Sequence, residues 1–366
     1  MKYMGSKRWM LQNGLGELLA REVRGVTRFV DLFAGSSAVA THVAVKHRVP
    51  VVAYDLQLFS VVLAKAVLSR QFRVDSDRIW QSWFWRAADV QKSVRPPSVS
   101  NINRAVVASH RAWCASQCWS ITKAYGGYYF SAVQATWLDA LRQTIPPQEP
   151  EKSVTLAALI SAASRCAAAP GHTAQPFQPT RSAKPFLVQS WLKDIVTECK
   201  ADLSAISKIY ANVEGQAEVA DANDVAQTLS RGDLAFVDPP YSGVHYSRFY
   251  HVLESIARGE CSAVSGQGRY PPRHERPRSR YSVSTESSDA LKALFSAIAE
   301  RGAAAVVTFP QRLCSNGLSG TAVMKLAKQF FNTERHWVAS KFSTLGGNNE
   351  HRYARRATRE LILVLR

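Results

Sequence analysis

The sequence Leu234-Ala235-Phe236-Val237-Asp238-Pro239-Pro240-Tyr241 joins a short apolar run to an abrupt polar turn. The four apolar residues predict a buried strand, and the prolines end it because proline has no N–H to donate to a sheet. A carboxylate, a carbonyl without a competing N–H and an aromatic ring are therefore expected together where the strand ends. In open α/β sheets, ligands bind at this carboxyl edge.

This cluster suits a planar group that carries an exocyclic amine. Asp238 and the carbonyl of Pro239 can accept the amine hydrogens, while Tyr241 offers a ring face for stacking. A purine or pyrimidine base has both features. The alternative is a plain junction between strand and turn with a surface tyrosine, so the rest of the chain has to decide.

Composition favours a polyanionic partner. The 366 residues carry a formal net charge of +18 with a pI near 9.9, and 46% of them are hydrophobic, which is enough for a large core. Nucleic acid is therefore preferred over a membrane, for which we find neither a transmembrane-length apolar run nor a signal peptide. The six cysteines form no zinc pattern, so we expect reduced thiols, no metal and a cytoplasmic location.

The N-terminal part predicts the first units of a nucleotide-binding α/β sheet. Residues 29–33 form an apolar run, 34–37 are small, and 38–46 have a helical pattern. A second strand, 51–54, ends in Asp55, the place where an acidic residue accepts hydrogen bonds from ribose hydroxyls. Capping the next helix is an alternative role for Asp55 that is compatible with ribose binding.

The alternation of strands and helices is lost between residues 70 and 189, where tryptophan and arginine are frequent. We predict an inserted, mainly helical subdomain. Arginines among aromatic residues can grip phosphates and stack on bases, although most of the tryptophans are expected to form its core. A second basic stretch, 259–285, is expected to be a flexible loop that contacts DNA through Arg269, Arg273, Arg276, Arg278 and Arg280.

The C-terminal part returns to regular structure. Strands are predicted at 304–309, 336–342 and 361–365, with a helix at 321–330. The last two strands can pair as an antiparallel hairpin.

Together these motifs resemble the Dam-type DNA adenine methyltransferases. The resemblance rests on Lys2 to Lys7, Asp31 to Ser36, Asp55 and Asp238 to Tyr241, in the order of that family. It implies S-adenosylmethionine as cofactor, double-stranded DNA as partner, and methylation of the N6 amine of an adenine. The implied fold is α/β: a doubly wound, Rossmann-like methyltransferase sheet, mostly parallel with an antiparallel C-terminal strand, plus the inserted helical subdomain. A restriction or phage-defence partner protein is left open.

The resemblance also implies domains and site residues. Residues 1–69 and 190–366 would form a discontinuous catalytic domain, and 70–189 would read the DNA. Tyr128 in the insertion would contact DNA, and Asp238, Pro239, Pro240 and Tyr241 would be catalytic. The implied cofactor-binding residues are Lys2, Tyr3, Lys7, Asp31, Phe33, Ala34, Gly35, Ser36, Ser37, Asp55, Leu56, Asp221, Ala222 and Asp238.

One departure from the family pattern is Ser37, where a second glycine is usual. Its Cβ restricts φ and narrows the approach to a ligand, so we expect adjusted or weakened cofactor binding. The alternatives are an inactive DNA-binding protein with the methyltransferase fold, and an RNA or protein-amide methyltransferase. The amide enzymes commonly begin the motif with Asn in place of Asp238. A cytosine carbon-5 enzyme is excluded, because the chain has no Pro-Cys pair.

Overall fold

The computed structural model describes residues 7–261, 263–343 and 355–366, with only the backbone for 339–343 and 355–358. The strands are β1 Arg28–Asp31, β2 Val51–Asp55, β3 Gln216–Val219, β4 Asp233–Val237, β5 Ala304–Pro310, β6 Thr333–Ser343 and β7 Arg355–Leu365. The helices are α1 Arg8–Gln12, α2 Leu15–Glu22, α3 Ala38–Lys46, α4 Leu58–Leu68, α5 Ser76–Gln91, α6 Arg104–Ala115, α7 Ser120–Tyr125, α8 Ala132–Gln143, α9 Glu151–Cys166, α10 Lys184–Trp191, α11 Ile195–Ser207, α12 Ala222–Ala226, α13 Tyr246–Phe249, α14 His251–Arg258, α15 Ser287–Glu300 and α16 Gly320–Ala327.

The chain divides into two compact units. The sheet unit comprises residues 7–71, 210–246 and 278–366 apart from the undescribed 344–354, and the helical unit comprises 72–209 and 247–277 apart from residue 262. No helix in the described ranges is both long enough and apolar enough to cross a membrane.

The sheet unit is built on one seven-stranded sheet with the order β3-β2-β1-β4-β5-β7-β6. Strands β1 to β5 are parallel, and β7 runs antiparallel to both β5 and β6. This confirms the predicted fold class, including the C-terminal hairpin. Two short helices, α1 and α2, precede β1, and Gly14 at φ +111° separates them.

The sheet has a buried core on each face, as a doubly wound fold requires. Strand β4 shows this most clearly, since all five of its residues are buried. Leu234 and Phe236 belong to the core formed with α2, α3 and α4, whereas Ala235 and Val237 belong to the core formed with α12 and α15. Side chains that alternate between two apolar cores explain the unbroken apolar run that precedes Asp238.

The helical unit consists of two segments of the chain. The first runs from Phe72 to Ile209, and its last helix, α11, packs against α9. Residues 247–277 also belong to it. Helix α14 lies in this second segment, where Arg142 donates hydrogen bonds to the carbonyls of Ile256 (2.8 Å) and Ala257 (3.0 Å).

Candidate functional site

Four acidic residues lie at the carboxyl edge of the sheet, each at or just after the end of one of four neighbouring strands. Asp31 and Asp55 end β1 and β2, Asp221 follows β3, and Asp238 follows β4. Because β3, β2, β1 and β4 are adjacent and parallel, their ends meet at one edge. All four acids were predicted as cofactor-binding residues, and that role stays a prediction.

The turn between β1 and α3 is fixed by the acid at the end of β2. The N–H of Gly35 donates to Oδ2 of Asp55 at 2.8 Å, and the N–H of Gln57 donates to Oδ1 at 2.9 Å. The N–H of Ala34 also bonds to the carbonyl of Tyr54 at 2.9 Å. Asp55 therefore holds the turn after β1 from the end of β2.

Ser37 begins α3 in a left-handed conformation. Its φ is +57°, and its buried hydroxyl lies 3.3 Å from that of Thr41. Serine is disfavoured there because its Cβ clashes with the backbone, whereas glycine is not. The neighbouring cofactor candidates Ser36 and Leu56 lie in the turns after β1 and β2 and are half-buried.

Asp31 is almost completely buried and is surrounded by other acids. Its carboxylate accepts the N–H of Phe33 at 3.2 Å. Burial, followed by the negative charges of Asp238 and Asp55, raises the pKa of Asp31 to about 7. An edge on which several carboxylates lie close together is best matched by a ligand that carries positive charge.

The acid after β3 caps the next helix. Oδ1 of Asp221 accepts the N–H of Asn223 at 2.8 Å, and Ala222 begins α12 behind it. The buried side chain of Asn223 accepts a hydrogen bond from the hydroxyl of Tyr281 at 2.7 Å. The ring of Tyr281 in turn packs edge-on against Phe33, with ring centroids 5.1 Å apart. These contacts join the Asp221 end of the edge to the turn after β1.

The described contacts of the Asp238 carboxylate are with only one of its two oxygens. Lys7 lies 2.9 Å from its Oδ1, and the hydroxyl of Thr308 donates to the same oxygen at 2.8 Å. Within the described part of the chain no donor contacts Oδ2, so this oxygen can accept a hydrogen bond from a ligand. Burial raises the pKa of Asp238, the charge of Lys7 opposes this rise, and Glu360 adds to it.

Lys7 bridges two carboxylates inside the sheet unit. Its ammonium group lies 3.0 Å from Glu360 on β7 in addition to Asp238, and its side chain is 4% exposed. Burial would lower the pKa of Lys7, but the two acids hold it above its ordinary value. The sequence placed Lys7 at the cofactor, whereas the described contacts are with Asp238 and Glu360. Lys2 and Tyr3, predicted with it, lie outside the described residues.

The carbonyls of Pro239 and Pro240 differ in their hydrogen bonding. The carbonyl of Pro240 accepts a hydrogen bond from the side chain of Asn316 at 3.0 Å. The carbonyl of Pro239 has no donor among the residues with described coordinates. Free acceptors on consecutive residues, Oδ2 of Asp238 and the oxygen of Pro239, therefore follow β4.

The ring of Tyr241 is positioned by two other aromatic residues. It packs edge-on against Phe309 of β5, with centroids 6.4 Å apart. Its hydroxyl is hydrogen-bonded to that of Tyr246, whose pKa is raised mainly by burial. The ring is thus oriented at the edge before any ligand binds.

Several residues of this edge were not singled out in the sequence. Thr308 and Glu360 lie within strands, Tyr246 and Tyr281 were read only as parts of polar or basic segments, and Asn316 lies in the turn after β5. A polar residue inside an apolar strand, such as Glu360 before Leu361 to Leu365, is the one signal that could have pointed to them.

The arginines predicted to contact DNA have different surroundings. Arg269 lies over the ring of Tyr128 and Arg276 over that of Tyr270. Arg278, in the sheet unit, is paired with Glu286. Arg273 and Arg280 are exposed in short 3₁₀ turns. The segment predicted as one flexible loop therefore contains an antiparallel bridge between Ser265 and Tyr270 as well as these turns.

The chain is similar in sequence to several known methylases. "Modification methylase StsI" of Streptococcus sanguinis is 24% identical over 275 residues, which cover 73% of this chain and 37% of that protein. "Modification methylase LlaI" of Lactococcus lactis subsp. lactis is 26% identical over 277 residues, 73% of this chain and 40% of that protein. "Type II methyltransferase M.FokI" of Planomicrobium okeanokoites is 25% identical over 284 residues, 73% and 38% respectively.

The chain spans about two fifths of the length of these curated relatives. A family model described as D12 class N6 adenine-specific DNA methyltransferase matches residues 3–91 and 190–305, which contain all four acids of the sheet edge. Since this match covers more than half of the chain, the protein belongs to the D12 class of N6 adenine-specific DNA methyltransferases.

Proposed function

We propose that this chain transfers a methyl group from S-adenosylmethionine to the N6 amine of an adenine flipped out of duplex DNA. The observation that carries the proposal is the asymmetric environment of Asp238. One of its oxygens is held by Lys7 and Thr308, while the other is open, and the free carbonyl of Pro239 belongs to the next residue. Two acceptors on consecutive residues match the two hydrogens of an exocyclic amine.

The residues of the edge fit the cofactor. S-adenosylmethionine, when bound, supplies the methyl group on a positively charged sulfonium. The acids of the edge, with the raised pKa of Asp31, favour a cationic ligand, and we assign Asp55 and Asp221 to its nucleoside part. Asp31 itself is 1% exposed, so we assign it the roles of holding the turn at Phe33 and supplying negative charge.

The chain's own residues orient the adenine. Unstacking a base costs a few kcal/mol, and stacking on the oriented ring of Tyr241 returns about 1–3 kcal/mol of this. Asp238 and the Pro239 carbonyl accept the amine hydrogens and thereby direct the nitrogen lone pair away from the ring. Catalysis of a direct displacement then consists mainly of positioning and needs no covalent enzyme intermediate.

The test is methyl transfer to duplex DNA by the full chain, followed by nucleoside analysis for N6-methyladenine. Asp238→Ala should lower kcat more than about a hundredfold while cofactor binding stays measurable, because the amine loses an acceptor. Tyr241→Phe should be milder than Tyr241→Ala, since the ring face survives. Transfer by Asp238→Ala within tenfold of the parent chain would contradict the mechanism.

The same assay separates the alternatives. RNA and peptides with glutamine or asparagine side chains are offered under identical conditions, and methylation of either in place of DNA would refute the DNA assignment. Cofactor binding without transfer to any DNA would indicate an inactive DNA-binding protein. The similarity to two modification methylases also supports a role as the modification partner of a restriction enzyme. Methylation should then be nearly complete at one DNA sequence motif in a host expressing the chain.

A further inference from the structure

Two tyrosines of the helical unit each lie against two arginines. The guanidinium carbons of Arg111 and Arg269 are 4.2 and 4.6 Å from the ring centroid of Tyr128. Those of Arg248 and Arg276 are 4.7 and 5.5 Å from the ring centroid of Tyr270. A cation over an aromatic face is favourable, but two cations at one ring also repel each other.

The two groups are adjacent in the sequence, because Arg269 of the first group is followed directly by Tyr270 of the second. We call the six residues the arginine–tyrosine track. It consists of Arg111, Tyr128, Arg248, Arg269, Tyr270 and Arg276.

Neutral acceptors anchor the guanidinium groups at Tyr128. Arg111 donates to the carbonyl of Gly127 at 2.9 Å and to the side chain of Gln178 at 3.0 Å. Arg269 donates to the carbonyls of Ala124 at 2.8 Å and Lys123 at 3.2 Å. A guanidinium group has five N–H bonds, so each arginine is fixed in place and still has N–H groups to donate.

The positive charge of the track is not compensated. None of its four arginines forms an ion pair with a carboxylate in the part of the chain that the structure describes. Other arginines of the same unit do, as Arg258 pairs with Glu254 and Arg165 with Glu198. Burial lowers the pKa of Arg276, and the charge of Arg248 lowers it further.

The backbone is strained where the two groups meet. Arg269 has a φ of +52°, a backbone conformation that residues other than glycine rarely adopt. The preceding Gly268 admits no Cβ, which would come within 2.4 Å of the carbonyl oxygen of Ala174. Such strain persists where the surrounding structure enforces it, and it is concentrated at functional sites.

We propose that the arginine–tyrosine track binds the sugar–phosphate backbone of duplex DNA. The inference rests on the proposed function, from which it takes DNA as the polyanion, and it adds Arg111 and Arg248 to the contacts. Phosphate oxygens are matched by planar, charged donors, and the tyrosine rings hold these guanidinium groups in position. The track therefore holds DNA without reading its sequence.

The test is the salt dependence of duplex binding by the full chain, measured by fluorescence anisotropy. Each phosphate contact contributes about 0.9 to the slope of log K against log salt concentration. The double variants Arg111→Gln/Arg269→Gln and Arg248→Gln/Arg276→Gln should each reduce the slope by about 2 on any duplex sequence. Arg86→Gln/Arg104→Gln is the matched control, because these exposed arginines of the helical unit carry the same charge but touch no aromatic ring.

A slope change equal to that of the control would overturn the proposal. Arg111→Lys/Arg269→Lys keeps the charges and should retain most of the slope. If this lysine pair also lost the slope, the role of Arg111 and Arg269 would be purely structural. If a glutamine pair does not fold, the single variants Arg111→Gln and Arg248→Gln are compared with Arg104→Gln, with a slope change of about 1 expected.

Steady-state methylation separates this inference from the proposed function. The glutamine pairs should raise the KM for DNA and leave kcat at saturating DNA nearly unchanged. A fall in kcat at unchanged KM would contradict a binding role. Suppose that the parent chain binds DNA with a salt slope that the glutamine pairs reduce, but does not methylate adenine. That outcome would refute the proposed function and leave the track as a DNA-binding site.

Discussion

The ammonium group of Lys7 lies 2.9 Å from Oδ1 of Asp238, although the two residues belong to distant parts of the sequence. The lysine orients the carboxylate and lowers its pKa, whereas burial and Glu360 raise that pKa. Asp238 must be ionised for Oδ2 to be a strong acceptor of an amine hydrogen. The charges around it should therefore set the acidic limit of methyl transfer.

Replacing Lys7 and Glu360 should move this limit in opposite directions. Lys7→Gln removes the charge that lowers the pKa of Asp238, so the acidic limb of the kcat–pH profile should move to higher pH. Glu360→Gln removes a charge that raises the pKa, so the limb should move to lower pH. The profiles are measured at saturating DNA and cofactor.

Lys325→Gln, which alters an exposed lysine of the same unit, is the control and should leave the limb in place. Shifts in the same direction for Lys7→Gln and Glu360→Gln would show that Asp238 does not set the acidic limit.

Asn316 should support both the stability of the fold and the turn that carries Tyr241. Its side chain is fully buried and donates to the carbonyls of Pro240 and Tyr281, each at 3.0 Å. Asn316→Ala leaves both carbonyls without this donor, so the free energy of unfolding should fall by about 2–4 kcal/mol, with a lower kcat in the fraction that is folded.

Chemical denaturation and single-turnover methylation measure these two effects. Asn332→Ala is the matched control, because this exposed asparagine should change the free energy of unfolding by less than about 0.5 kcal/mol. An Asn316→Ala chain with parental kcat would show that the hydrogen bond to Pro240 does not position the turn.

Ser37→Gly should stabilise the protein and improve cofactor binding. At φ +57° a serine is strained by about 1 kcal/mol relative to glycine, and glycine also lets a ligand approach the backbone more closely. We expect a higher melting temperature and a several-fold lower Kd for S-adenosylmethionine in calorimetry. Ser37→Ala keeps the Cβ and should give neither gain, whereas equal gains from both would assign the effect to the lost hydroxyl.

Cofactor binding should depend on pH through Asp31. Burial raises its pKa in the folded chain to about 7, so between the unfolded value near 4 and pH 7 the native state binds more protons, and stability without ligand falls as pH rises. A cationic ligand favours the ionised acid. Binding should therefore be about tenfold weaker at pH 6 than at pH 8.

Isothermal titration with S-adenosylmethionine measures this dependence. Asp31→Asn retains an oxygen that can accept the N–H of Phe33 but cannot ionise, so its Kd should change little over the same range. A parent chain whose Kd is equal at the two pH values would contradict the linkage to Asp31.

Periodicity and turn chemistry were sufficient to predict the sheet. The apolar runs before Asp31, Asp55 and Asp238 had to be buried strands, and prolines or small residues ended them. Hence the α/β class, the mostly parallel sheet and the C-terminal hairpin were all accessible from the chain. The membership of α11 and α14 in the helical unit was not, because packing between distant segments leaves no local signal.

The sequence by itself determined that Asp55 and Asp238 lie at the ends of strands in a mostly parallel sheet, because local patterns of apolar and turn residues mark strand ends. Only the tertiary structure decided that Asp31 and Asp221 share their edge and how each acid is held. Lys7 reaches Asp238 together with Glu360, and Asn316 reaches Pro240, through contacts between residues far apart in the chain. Such contacts have no periodicity, because burial and charge select the partner in space and not its position in the sequence.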